Sequence, residues 1–498
     1  MRDHLSLFVN GQPIRVEGDD VFLTLSDFLR KRLRLTGTKV VCAEGDCGSC
    51  SAFIGRVRDG KIHYAPVTSC IQLMLQLDGT HVVTIEGLKN GDELNAIQQS
   101  MVAGHGAQCG FCTPGFIVSL YDLMRDGKRV SSEAITRGLV GNLCRCTGYD
   151  SILKSALATD QSEIRSLDSL YPPGPILNMI SKLEEVLVQA GPKKFYKPVT
   201  LAAATKFRRE NPNCSVIAGA TDLGVVYNKR LREIDIALSL SGIPELRGIS
   251  VASGVLRIGA GNSLTELEQI TLEYLPEFGR FLAWFGSPLI KNAGTVGGNL
   301  VTGSPIGDTL PPWIVLQAEI EVAGVAGSRT VPISQFYSGY RTTVLGPDEL
   351  VMGVRVRLLN ADDDFKLYKV SRRKDLDIST FSAAIWMRRQ AGRVAEVRLA
   401  FGGVGPMVLR MTKTEAALAG QPATLEQFER AAEIAREEVT PITDVRGSNA
   451  YRRTLAGNIL LKFWHEVISE SGGHHGNAQM PPPPAPANRL SVPSPVAG

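Results

Sequence analysis

The chain has 498 residues, 44% hydrophobic and 21% charged, with 54 Lys+Arg against 50 Asp+Glu and a formal net charge of +4. At roughly 150 residues per domain this length predicts three or four domains, and so weak a charge without a long Lys/Arg run argues against an electrostatic nucleic-acid binder. No stretch reaches the roughly 18 apolar residues of a membrane span, and the N-terminus shows neither a Sec-type signal nor an anchor, so the expectation is cytoplasmic.

Residues 1–80 read as short strands and turns, HLSLFVNG, PIRVE and KIHYAPV, with HVVTIEG just beyond and one short helix over 25–33. Residues 81–156 change to helical spacing in LNAIQQSMVA, TPGFIVSLYDLMRDG and SSEAITRGLVGNLCRC, with Pro114 and Gly127 as start and stop of the middle helix. A linker is expected over 157–193, where YPPGP is poor material for helix or central strand. Residues 194–364 read as α/β, joining apolar runs to glycine-rich turns in SVIAGATDLG, GVLRIGAG and SPLIKNAGTVGGNLVTGSPIGD. Residues 365–471 give three strand-like runs and then three helices, an α+β domain, and 472–498 read as a disordered tail. The paired His474 and His475 of that tail are weak evidence for metal.

Eight of the nine cysteines lie in the first 146 residues, which asks for a local cause, and Cys214 stands alone as a core thiol. Cys42, Cys47 and Cys50 stand in C-x4-C-x2-C with Cys70 distal, the spacing of plant-type [2Fe-2S] loops. Gly45, Gly48 and Ser49 would let backbone amides approach cluster sulfur. Tetrahedral zinc competes for four thiolates, although its usual paired C-x2-C ends are missing. Cys109 and Cys112 form a C-x2-C before one helix, and Cys144 and Cys146 a C-x1-C after another, so antiparallel helices could bring the pairs together as a second [2Fe-2S] site. Two such sites in one small region imply an electron relay.

Neither glycine-rich segment is the G-x-G-x-x-G fingerprint. Both could cradle a diphosphate with backbone N-H groups, the first through Gly219, Ala220, Thr221 and Asp222, the second through Gly297, Gly298, Asn299, Thr302, Ser304 and Asp308. Structural turns explain the same residues equally well. Trp284 and Phe285 could shield a flavin ring or form an ordinary aromatic core pair. Between one-electron clusters and a two-electron acceptor a flavin is the natural converter, which favours FAD as the bound cofactor.

The phrases CAEGDCGSC, QCGFCTPG, GNLCRCTGY, VIAGATDLG, WFGSPLIKNAGTVGGNLVTGSPIGD and SRRKDLDIS together resemble the iron-sulfur/FAD small subunits of the molybdenum hydroxylase (xanthine oxidase) family, over roughly residues 1–470. The resemblance implies a multidomain α+β chain: a plant-ferredoxin-like β-grasp domain, a helical [2Fe-2S] domain, a two-part α/β FAD-binding domain and a C-terminal α+β domain. It implies that Cys42, Cys47, Cys50 and Cys70 hold the cluster nearer the flavin, and Cys109, Cys112, Cys144 and Cys146 the one nearer a molybdopterin that Gln108 would approach. It assigns Ile217, Ala218, Gly219, Ala220, Thr221, Asp222 and Leu223 to one FAD loop, Thr295, Gly298, Asn299, Thr302, Ser304 and Asp308 to the other, and Phe285 to the flavin face. The implied activity is that of xanthine dehydrogenase. A separate molybdenum-cofactor subunit would hydroxylate hypoxanthine or xanthine, and electrons would pass through both clusters and FAD to NAD+, in a dimer of heterodimers. No catalytic residue for the hydroxylation is expected in this chain, whose parts leave no room for a molybdenum domain. SRRKDLDIS would lie near the nicotinamide, although a solvated basic turn explains it as well. A related hydroxylase with another substrate and acceptor, and a zinc-stabilised scaffold, are the alternatives.

Overall fold

In the computed structural model, which describes residues 1–127, 129–182 and 184–469, the chain is a multidomain α+β protein. The predicted tail at 472–498 lies outside the described residues. Strands β1 (Leu5–Val9), β2 (Gln12–Val16), β3 (Ser51–Arg58), β4 (Lys61–Thr68) and β5 (Thr80–Val83) form one sheet in the order β2-β1-β5-β3-β4. Asn10 and Gly11 join β1 to β2 with φ of 48° and 78°, the left-handed pair that a tight hairpin requires. Helix α1 (Leu25–Lys31), capped by Thr24, buries Leu25, Phe28 and Leu29 against this sheet.

Four helices follow: α2 (Ala96–Ala103), α3 (Thr113–Met124), α4 (Ser132–Gly138) and α5 (Asp150–Ala158). They cover the other face of the sheet, where Phe53, Tyr64 and Val83 share a core with Phe116, Tyr121 and Ile152. The segment expected to be a linker is not featureless. Helix Pro173–Ile180 starts at the second proline of YPPGP, because a first-turn residue needs no N-H, and it buries Ile176 and Ile180, four apart, in that same core.

Strands β6 (Val186–Ala190), β7 (Lys193–Lys197), β8 (Ser215–Ile217) and β9 (Ile236–Ser239) make a second sheet, and Val188, Phe195, Ile217 and Ala237 join the core of the first. A third sheet runs β10-β11-β16-β12-β13, from β10 (Ile249–Ala252), β11 (Val255–Gly259), β12 (Glu319–Gly324), β13 (Gly327–Pro332) and β16 (Leu350–Arg357), with a short hairpin of β14 (Tyr337–Gly339) and β15 (Thr342–Thr343). The last sheet is a meander of β17 (Asp363–Val370), β18 (Phe381–Gln390), β19 (Arg393–Gly402) and β20 (Leu409–Arg410). The first seven residues of β18 are buried because both faces are covered: Ala384 and Trp386 meet the third-sheet core, while Ala383, Ile385 and Met387 meet helices Leu425–Glu438 and Asn449–Phe463. Cys214 is buried beside Tyr196, Phe207 and Leu238.

Candidate cluster and cofactor sites

The first cysteine group sits in the irregular loop between α1 and β3, with Cys70 just after β4. Gly45 and Gly48 have φ of 85° and 66°, and a Cβ on Gly48 would lie 2.3 Å from Gly141 O, so the loop path itself demands glycine. Cys47, Cys50 and Cys70 are buried and Cys42 is half-buried. Cys42 Sγ accepts from Cys47 N at 3.4 Å, Cys42 meets both Cys47 and Cys70, and Cys50 meets Cys70, so the four thiols form one network. Proton sharing with Cys47 and Cys70 holds the Cys42 thiol well below its ordinary range, and the same contacts with Cys42 push Cys47 and Cys70 up. Four thiols this close could all ionise only around a cationic centre, a demand that an iron-sulfur cluster would meet. Among the described residues no three His, Cys, Asp or Glu side chains converge on a single metal ion. A dinuclear cluster spreads four thiolates over two irons.

In the second group Cys112 precedes the first turn of α3, and Cys144 and Cys146 lie between α4 and α5. The second pair is therefore held by the start of α5 as well as by the end of α4, a placement the repeat C-x1-C alone does not reveal. Cys109 and Cys146 are exposed with Sγ atoms 3.6 Å apart, while Cys112 meets Cys144. Burial, and then Cys144, push the Cys112 thiol up to about 12. Gln108 is exposed on this face with Val102, Phe111 and Leu143. The two groups touch through the main chain: Leu143 N, next to Cys144, donates to Cys47 O at 3.0 Å, and a Cβ on Gly115 would lie 2.0 Å from Gly48 O.

A cavity of 1710 Å³ opens between the first sheet and the second half of the chain. It exceeds the roughly 300–1,000 Å³ of ordinary small-molecule and cofactor pockets, so a dinucleotide would fit within it. Ala218, Gly219, Ala220, Thr221, Asp222 and Leu223 line it from one side; Thr295, Gly298, Asn299, Thr302, Ser304 and Asp308 line it from the other, with Phe285. Ile217 is a buried strand residue behind the first loop rather than part of the wall. A Cβ on Gly219 would lie 2.1 Å from Ala293 O, and Ala220 takes φ of 55°, so the two loops are pressed together at small residues. Asp222 pairs with Arg341 at 3.3 Å. Asn299 accepts from the Thr309 hydroxyl.

Asp308 is buried and both its oxygens are engaged, one by Lys369 Nζ at 2.8 Å and one by Ser379 Oγ at 2.6 Å. Lys369 and Ser379 line the cavity; Ser379 ends the SRRKDLDIS run expected near the nicotinamide, whereas Lys369 escaped sequence reasoning, a lysine amid the apolar alternation of KLYKVS being the available signal. The SRRKDLDIS turn closes on itself through Arg373 N to Asp377 Oδ2 at 2.9 Å, leaving Arg372, Arg373 and Lys374 exposed while Leu376 to Ser379 face the cavity. The first cysteine loop reaches the same cavity through Gly45 and Asp46. Ile71 O, adjacent to Cys70, would lie 2.2 Å from a Cβ on Gly224, and Gln76 Nε2 donates to Ala218 O at 2.7 Å.

Three family descriptions match in succession: "[2Fe-2S] binding domain" over residues 84–157, "FAD binding domain in molybdopterin dehydrogenase" over 189–357, and "CO dehydrogenase flavoprotein C-terminal domain" over 366–467. The chain belongs to the molybdenum hydroxylase family. Xanthine dehydrogenase of Emericella nidulans is 29% identical over 94% of this chain and 39% of its own length; that of Drosophila pseudoobscura pseudoobscura is 30% identical over 94% and 40%. The chain thus spans about two fifths of the length of these relatives. Among solved structures, carbon monoxide dehydrogenase from Hydrogenophaga pseudoflava matches with a TM-score of 0.52 and 28% identity, covering 54% of this chain and 94% of that one. Quinoline 2-oxidoreductase from Pseudomonas putida 86 matches with a TM-score of 0.50 and 25% identity over the same shares. Within this molybdenum hydroxylase chain the matched segments hold the second cysteine group and both glycine loops. The first cysteine group precedes all three, and its assignment stands on spacing and geometry.

Proposed function

We propose that this chain is the electron-transfer component of a molybdenum hydroxylase of xanthine dehydrogenase type. Reducing equivalents from a molybdenum-cofactor partner would arrive at the Cys109 and Cys146 face, cross to the Cys42, Cys47, Cys50 and Cys70 group, and leave from the cavity as hydride to NAD+. Two [2Fe-2S] clusters would supply one-electron carriage, and FAD the conversion to two-electron chemistry. The observation that carries this reading is an unbroken run of contact from surface to cavity. The exposed Cys109 and Cys146 lead to Cys144, the Leu143 N to Cys47 O bond joins the groups, and Gly45 and Asp46 of the first cysteine loop line the cavity. Val102, Phe111 and Leu143 give the arrival face the apolar surface that a partner subunit would cover. At the other end Gly219 and Ala220 let loop amides close on a diphosphate, and Lys369, oriented by Asp308, presents a fixed ammonium group to the cavity.

The test is a visible spectrum with metal and flavin analysis of the purified protein, expected to give about four irons and one flavin per chain; colourless protein with zinc overturns the reading in favour of a zinc-stabilised scaffold. A second reading, a related hydroxylase with another substrate and an oxygen or quinone acceptor, draws on the likeness to the carbon monoxide and quinoline enzymes. Stopped-flow reduction of the bound flavin by NADH separates the two, since slow or absent reduction removes the nicotinamide route.

A further inference from the structure

Beyond the two glycine loops the cavity continues to the seam between β3 and the flavin half, where Arg56 and Arg58 of β3 line it together with Arg247 and Glu266. Arg58 donates to both oxygens of Glu266, at 2.7 and 3.3 Å, and Arg247 to one of them at 3.4 Å. Arg56 has no carboxylate partner among the described residues; its guanidinium donates to Gln76 O at 3.3 Å. The other acidic side chains of that wall are already taken, Asp78 by Arg2 and Lys197, Asp122 by Arg125, and Asp59 stands exposed on the β3 to β4 turn. Two guanidinium groups therefore share one carboxylate while a third has none, an excess of positive charge in a cavity partly closed to water. Burial, with the charges of Arg247 and Arg58, draws Arg56 down to about 10, the direction expected of a cation without a counter-ion.

The cluster sits at the roots of both loops. Gln76, which accepts from Arg56, donates in turn to Ala218 O of the first loop. Glu266, which accepts from Arg58 and Arg247, also accepts from Ser263 N at 2.7 Å, and Ser263 bridges to Thr295 of the second loop. A dinucleotide held by both loops would thus have its phosphates next to an unneutralised guanidinium.

We propose that Arg56, Arg58 and Arg247 form a phosphate-binding subsite for the ADP half of the flavin dinucleotide, so that cofactor binding ties the first sheet to the flavin half. The proposal rests on the cavity being the FAD site. Glu266 orients two of the planar forks, and Arg56 is left to meet phosphate oxygens directly, a geometry that guanidinium matches and a lysine would meet only as a point charge.

The test titrates flavin-free protein with FAD and FMN, followed by flavin fluorescence, and with ADP and inorganic phosphate, followed by calorimetry. Arg56→Gln breaks no ion pair, and thermal unfolding checks that it folds. It is expected to weaken FAD and ADP by about ten- to hundredfold and FMN by less than about threefold, with Arg56→Lys recovering part of the loss. Unchanged FAD and ADP binding in Arg56→Gln overturns the subsite, as does an FMN loss equal to that of FAD. Inorganic phosphate binding as tightly as ADP assigns the cluster to a free anion and overturns the dinucleotide. Wild-type protein that binds ADP but not FAD, with ADP binding lost in Arg56→Gln, rejects the flavin reading and leaves the subsite standing.

Discussion

Gly219 is held where any side chain would meet backbone, 2.1 Å from Ala293 O, and backbone cannot swing aside as a side-chain tip can. Gly219→Ala should therefore part the two loops, costing about 1–3 kcal/mol in urea unfolding and leaving the purified protein with clearly less flavin than wild type. Full flavin content would show that the loops close independently of this contact. His81 carries a different residue-scale consequence. It is fully buried, its Nε2 accepts from Gly11 N at 3.1 Å, and its Nδ1 therefore donates to the Tyr64 hydroxyl at 2.7 Å. Burial pulls its pKa from 6.5 down to about 4, so the folded protein keeps the ring neutral where the unfolded chain would protonate it. Above pH 6.5 neither state takes the proton; as pH falls from 6.5 toward 4 only the unfolded state does, and stability drops. Between pH 7 and 5 the loss should be about 2 kcal/mol. Unfolding curves at the two pH values should show that increment in wild type and its absence in His81→Gln.

Among the elements, the segment leading into helix Pro173–Ile180 acts as a strap across the first sheet. Tyr171 places its ring edge-on to His81 at 4.9 Å, closes over Gly11, and donates its hydroxyl to Gly87 O at 2.7 Å, while Leu167, Ile176 and Ile180 enter the core below. Tyr171→Ala should destabilise the N-terminal half by about 2–4 kcal/mol. In limited proteolysis, wild type should resist cutting over residues 164–182 and the variant should be cut there; equal cutting of both would mean that the strap is not docked. YPPGP has no helical or alternating pattern, and only its distant contacts make it structure, so sequence reasoning saw a linker. Where the cause is local, the reading matches the fold. Asn10-Gly11 makes the hairpin, TPGFIVSLYDLM makes α3, and the three strand-like runs after residue 365 make β17, β18 and β19 of the meander. The gathering of the thiols into two groups was legible for the same reason, as their spacing within each loop is a short-range signal. Asp308 was visible as a candidate, but Lys369 and Ser379, which use both its oxygens, come 61 and 71 residues later. The Gln76 bond to Ala218 spans 142 residues, and no periodicity encodes such a pairing.

On the scale of the whole molecule, the two cysteine groups and the cavity are arranged in series, and the two ends face different surroundings. The second group reaches solvent beside Val102, Phe111 and Leu143, whereas the first is largely buried and its loop meets the cavity through Gly45 and Asp46. A series arrangement makes a directional prediction that a set of independent sites does not. Cys146 is exposed, its sulfur contacts Cys109, and it does not line the cavity. Cys146→Ser in the assembled enzyme should therefore interrupt arrival from the molybdenum side while leaving the cavity able to exchange hydride. Expected are a loss of more than about tenfold in flavin reduction driven by the hydroxylated substrate, and NADH-driven flavin reduction within about twofold of wild type, a separation of at least about 1 kcal/mol in barrier. Equal loss of both rates, with an unchanged unfolding midpoint, would mean that the sites do not act in series. Equal loss with a lowered midpoint would mean that Cys146 holds the fold together rather than the relay.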